Sequence, residues 1–106
     1  MPILNTRFAV GHVVKHALFG YRCVVIDVDA SFKGSDDWYE KNAPSRPPKN
    51  EPWYVLLVDG SVHHAYVAES QLEPDPSGEP IEHPELEQFF NDFQNGVYTG
   101  YNYKKQ

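Results

Sequence analysis

Trp53-Tyr54-Val55-Leu56-Leu57-Val58-Asp59-Gly60-Ser61-Val62-His63-His64-Ala65-Tyr66-Val67 is the stretch that decides the fold. Two runs rich in β-branched and aromatic residues flank an Asp-Gly pair. Both central residues of a tight hairpin turn need positive φ, and Asp and Gly tolerate it well. The chain is therefore predicted to be built on an antiparallel sheet.

Working outward, residues 8–16 read as a first strand, with Gly11 between two apolar clusters as a bulge. Gly20 bends the following turn. Residues 22–29 read as a second strand, with Val24, Ile26 and Val28 on one face and Cys23, Val25, Asp27 and Asp29 on the other. Residues 30–52 form a long insertion loop rich in proline, in which Asp36 caps one helical turn and sets Trp38 and Tyr39 down on the sheet. Residues 68–72 suit a tight turn or a 3₁₀ piece. Residues 73–80 are a proline- and acid-rich linker without regular structure. Residues 84–93 are predicted to be a helix: Pro84 suits its first position, Glu85 and Glu87 suit its N-terminal end, and Asn95-Gly96 stops it. Leu86, Phe89, Phe90 and Phe93 fall on one stripe at helical spacing. Residues 97–106 are aromatic without a clear period. The expected fold is mainly β: a small, strongly bent sheet or partly open barrel of about five strands, its inside filled by side chains and without a ligand cavity. It carries the long insertion loop and a C-terminal helix.

With 106 residues the chain makes one modest core. A net charge of −6 argues against a generic nucleic-acid binder, whose affinity comes largely from neutralised phosphates. The charge is uneven. Arg7, Lys15, Arg22 and Lys33 outnumber Asp27 and Asp29 in residues 1–33, whereas residues 73–106 are strongly acidic. One cysteine excludes an internal disulfide and fits a reducing compartment. No secretory leader is visible, and no run approaches the ~20 apolar residues of a membrane helix. A cytoplasmic location away from membranes is expected.

His63 and His64 are adjacent on a predicted strand, so their side chains leave on opposite faces and do not chelate one ion together. The spacing of His12 and His16 suits ligation on a helix but separates them on a strand. No metal and no cofactor are expected. Asp27 and Asp29 share a face, which suits acid–base work or a cation; a solvent-facing strand end that discourages edge pairing is the plainer reading. Cys23 has no activating cation on its side of the strand and reads as a structural thiol. No nucleophile, base and orienting group assemble, so no enzyme is expected. Lys15, His16 and Arg22 surround the Phe19-Gly20-Tyr21 turn, where basic and aromatic groups meet phosphates and bases in nucleic-acid sites. Trp53 and Tyr54, with Trp38 and Tyr39, form either an exposed aromatic patch or a subunit contact. The Leu86, Phe89, Phe90 and Phe93 stripe packs either on its own sheet or on a partner.

Four blocks in order carry a resemblance: Phe8-x-Val10-Gly11-x-Val13-Val14-Lys15-His16, Gly20-Tyr21-Arg22-Cys23-Val24-Val25-Ile26-Asp27-Val28-Asp29, Pro52-Trp53-Tyr54, and Ala65-Tyr66-Val67-Ala68-Glu69-x-x-Leu72. Together they resemble the heat shock protein HspQ family, also called YccV-like or hemimethylated-DNA-binding proteins. Residues 75–84 are similar to the branch of that family that ends in a Pro-Glu-rich linker and a helix. The resemblance implies an SH3-like barrel domain over residues 1–75, followed by the linker, amphipathic helix and aromatic tail of residues 76–106. It implies a homo-oligomer, with a trimer as the working number. It also implies a heat-shock-linked adaptor that modulates degradation of client proteins by the ATP-dependent Lon protease, or alternatively a binder of hemimethylated DNA. The family brings no catalytic residues with it.

Overall fold

The computed structural model describes residues 6–101. At its centre is a five-stranded antiparallel sheet of β1 (Val13–His16), β2 (Arg22–Asp29), β3 (Trp53–Val58), β4 (His64–Ala68) and β5 (Leu72–Pro74). The strand order is β4-β3-β2-β1-β5. One helix, α1 (Asp36–Asn42), lies between β2 and β3. A single helical turn, α2 (Leu86–Phe89), precedes a separate hairpin of β6 (Asp92–Gln94) and β7 (Val97–Thr99). The chain is mainly β, as its sequence predicts.

The edges of the sheet are β4 and β5, yet only one 3₁₀ turn, Glu69–Gln71, joins them. In a flat five-stranded sheet the edges would lie about 19 Å apart. A 3₁₀ turn advances only about 2 Å per residue. The sheet must therefore curl until its edges approach. Among the described residues no ladder joins β4 to β5, so the curled sheet stays open. Two irregularities add curvature. Gly11 and His12 both face Val25: the Gly11 N–H donates to the Val25 carbonyl at 2.8 Å, and the Val25 N–H donates to the His12 carbonyl at 3.0 Å. Gly11 has φ +96°, as a glycine-led bulge requires. In β2 the register shifts between Val25 and Asp27. That shift puts Val28 with Cys23 and Val25, not with Val24 and Ile26 as strict alternation predicts.

The inner face of the curl is filled by Val14, Cys23, Val25, Tyr54, Leu56, Val67 and Leu72, with Phe8 laid over them. The outer face is covered twice. Val24, Ile26 and Leu57 lie under Ile81, Phe89, Phe90 and Tyr98. Trp53 and Ala68 lie under Tyr39 and Ala43 at α1. Burial on both faces explains why residues 23–26 and 53–58 are continuously apolar where a half-exposed strand would alternate.

Several expectations are corrected. The predicted helix over residues 84–93 is only the turn Leu86–Phe89, and Asn95-Gly96 is not its stop but the two-residue turn of the β6–β7 hairpin. Asn95 and Gly96 both have positive φ, 52° and 80°. The Asp59-Gly60 hairpin exists, but β3 ends at Val58 and β4 starts at His64, so its loop is wider than two residues. Only Gly60 of that pair has positive φ. The helix cap is Ser35, not Asp36; its side chain accepts from the Trp38 N–H at 3.1 Å. Glu73 and Pro74, read as linker, belong to β5. Pro74 has no N–H to give, and an edge strand tolerates that. The first strand shortens to Val13–His16, because the Gly11 bulge breaks the run from residue 8. The end of the aromatic tail, residues 102–106, lies outside the described residues.

Candidate functional site

Lys15, His16 and Arg22 do come together at one end of β1 and β2, but their charges are spent internally. Arg22 lies 3.2 Å from Asp59 and 3.0 Å from Asp75. It also donates to the carbonyls of Glu79 and Pro80. Burial works against its charge, but Asp75 and Asp59 outweigh that and raise its pKa. Lys15 pairs with Glu73 across the β1–β5 ladder at 3.3 Å. His16 is buried between the rings of Phe19 and Tyr21, with centroids 4.7 and 5.1 Å away. Its Nδ1 accepts from the N–H groups of Leu18 and Phe19. Burial lowers its pKa, which keeps it neutral. His16 therefore shapes the turn and adds no positive charge.

The aromatic candidates turn inward. Trp53 is 1% exposed and Tyr54 is fully buried. The Trp53 indole N–H donates to the Pro48 carbonyl, which ties the insertion to β3. The Tyr54 hydroxyl donates to Glu69 at 2.6 Å and accepts from the Phe8 N–H. Burial first, then the Glu69 hydrogen bond, push its pKa up to about 12. Phe89 and Phe90 are buried, and Leu86 and Phe93 pack partly buried on the outer face. The stripe is spent on its own sheet. Cys23 is fully buried, and burial followed by the charge of Asp59 lifts its thiol to about 12, so it is inert.

Sequence reasoning singled out the Phe19-Gly20-Tyr21 turn but missed the cleft beside it. Leu18 and Phe19, at the tip of the β1–β2 turn, are 75% and 72% exposed. They border a cleft of about 640 Å³ that runs along β4 and is lined also by Trp38, Tyr66 and Gln71. A filled inner core led to the expectation of no cavity. The cleft opens at the β4 edge, where Val67 of that core and Tyr66 beside it both line it.

The backbone of β4 is also available there. The Val58 N–H donates to the His63 carbonyl, and the Glu69 N–H donates to the Pro52 carbonyl. Antiparallel pairing alternates. The polar backbone groups of residues 63, 65 and 67 therefore point to β3, and those of His64 and Tyr66 point away. Among the described residues no strand pairs with that side. Tyr66 is held in place by donating to Asp29 at 2.6 Å and accepting from the Lys33 N–H at 3.1 Å. Burial and then Asp29 raise its pKa to about 12, so it stays a neutral donor. Asp27 is exposed, and Asp29 accepts from the Tyr66 hydroxyl.

Fold and cleft together define a small, mainly β protein with an open, apolar-flanked sheet edge. Residues 6–97 match the family model described as hemimethylated DNA-binding protein YccV like. The chain belongs to this YccV-like family. The match reaches β7, well beyond the first five strands. Among the described residues no helix is long and apolar enough to cross a membrane.

Proposed function

We propose that this protein is a non-enzymatic adaptor that modulates degradation of client proteins by the ATP-dependent Lon protease, one of the two roles that its resemblance implies. One observation carries this reading: the cations that would meet phosphates are paired with carboxylates, while an apolar cleft along a free strand edge is open. Extended chain laid against β4 would gain main-chain hydrogen bonds from His64 and Tyr66 and apolar contacts from Leu18 and Phe19. A client held this way would be concentrated near the protease, or the protease would be biased by the contact. Neither route asks chemistry of this chain. The curled sheet fits an open SH3-like barrel, supported by the strand order and the short connection between its edges. Such an edge also suits self-association into a homo-oligomer, with a trimer as the working number, in the cytoplasm.

The test is the degradation rate of several Lon substrates with and without the protein, with the protein followed in the same gel. Faster loss of some substrates and not others is expected. Indifference of every substrate would sink the adaptor role.

Binding of hemimethylated DNA is the second reading, favoured by the description of the family. The net charge of −6 and the paired state of Lys15 and Arg22 weigh against it. A preference for duplex methylated on one strand that survives physiological salt would establish it.

A further inference from the structure

His64 and His83 each bring one imidazole nitrogen, and Glu85 one carboxylate oxygen, within 4.8 Å of one another. The three come from separate places: His64 opens β4, while His83 and Glu85 flank Pro84 in the segment that crosses the outer face. We propose that these three residues form a binding site for a divalent transition metal ion, zinc foremost.

The donor set is the first argument. Two imidazoles and one carboxylate suit zinc, which takes nitrogen and oxygen ligands at about 2.0–2.2 Å in tetrahedral geometry and accepts water as a fourth ligand. Three ligands leave that fourth position open on the exposed side of His64.

The His83 imidazole is also held by the fold. His83 is 9% exposed, and its Nε2 lies 3.1 Å from the His63 carbonyl. A carbonyl only accepts, so Nε2 carries the hydrogen and Nδ1 the lone pair. A ring N–H given to a backbone carbonyl is the support that orients ligating histidines. Nδ1 now accepts from the Glu85 N–H at 3.1 Å, and ion capture exchanges that single bond. His64 Nε2 stands 3.1 Å from both carboxylate oxygens of Glu85. A divalent ion would bridge the two side chains in place of that contact. His64, exposed, and Glu85, half-exposed, close on the ion by side-chain rotation, while the Glu85 N–H moves off His83 Nδ1.

The site departs from the expectation of no metal that the sequence supports. His63 and His64 do not share an ion, but the fold supplies His64 with ligands about twenty residues away, which strand parity does not reveal. Bound metal would pin residues 83–85 to the start of β4.

The test is calorimetric titration of the full chain with zinc chloride, joined by the visible spectrum of the cobalt(II) form. One equivalent bound at micromolar or lower concentration, with a tetrahedral cobalt spectrum, is expected. His64→Ala and Glu85→Gln, both at positions open to solvent, should each weaken binding by at least about tenfold. His63→Ala should leave it unchanged. No saturable binding, or equal binding by wild type, His64→Ala and Glu85→Gln, would overturn the site. Circular dichroism of each variant separates lost ligation from lost fold, and the readout is independent of any effect on Lon.

Discussion

Two residues show how much of this fold rests on single positions. Arg22 is the first. It ties β2 to Asp59 after β3 and to Asp75 after β5, and it holds the Glu79 and Pro80 carbonyls of the crossing segment. Burial alone would raise the Asp75 pKa, but the Ser77 hydroxyl and Arg22 outweigh it and hold the carboxyl below its ordinary range. A carboxyl lowered on folding stabilises the fold above the unfolded value, near pH 4, and loses that as pH falls through the folded value. Asp75→Asn should therefore cost about 1–3 kcal/mol in urea unfolding at neutral pH, and the gap to wild type should shrink below about pH 4. A gap that persists in acid would rule out the charge as its cause. Gly11 is the second residue. A Cβ there would come 2.1 Å from the Tyr98 carbonyl oxygen, at a φ that L side chains rarely adopt. The Gly11 carbonyl accepts from the Tyr98 N–H at 2.9 Å, so this glycine joins the sheet to the C-terminal hairpin. Gly11→Ala should lower unfolding free energy by more than about 2 kcal/mol, whereas Gly20→Ala, with open space around it, should cost less despite its positive φ.

At the level of elements, the C-terminal segment works as a lid for the outer face. Its apolar residues were legible, but its conformation was not. Leu86, Phe89 and Phe90 share a helical stripe for one turn. The Asn91 N–H then donates to the Thr99 carbonyl, and the chain enters β6. Asn-Gly is a hairpin signal as well as a helix stop, and the apolar spacing before it hid the first meaning. Phe90 packs at a tilt against Tyr98 and Tyr101, with ring centroids 5.4 and 5.8 Å away. Phe90→Ala should cost about 3–5 kcal/mol by thermal or urea unfolding. The β1–β2 turn behaves in the opposite way. Phe19 is mostly exposed and touches only the His16 ring among the described aromatic pairs. Phe19→Ser should change stability by less than about 1 kcal/mol and still reduce the stimulation of Lon on a responsive substrate. Full stimulation by that variant would move the docking site away from the cleft.

For the whole molecule, charge weighs against DNA as the partner. Net charge is −6, and the cations at the β1–β2 end are paired with acids. Titration with hemimethylated duplex should show affinity that falls steeply with salt and no preference for the methylated strand near 0.15 M. A preference retained there would reverse the order of the two functional readings. The sequence by itself determined the β class, the strands at residues 22–29 and 53–58, a first strand that ends at residue 16, a tight or 3₁₀ turn within residues 68–72, and the family. These rest on side-chain type and spacing over a few neighbours, which local sterics and burial translate directly into backbone shape. Only the tertiary structure decided that both faces of the sheet are covered, that Trp53 and Tyr54 are core, and that Lys15 and Arg22 are neutralised. It alone decided that the free edge of β4 lies beside Leu18 and Phe19. Each of these depends on contacts between distant positions: Arg22 meets Asp75 across 53 residues, and Gly11 meets Tyr98 through the backbone. Nothing in the neighbourhood of either residue encodes its partner, because curling the sheet and folding the C-terminal segment across it are what bring the two together.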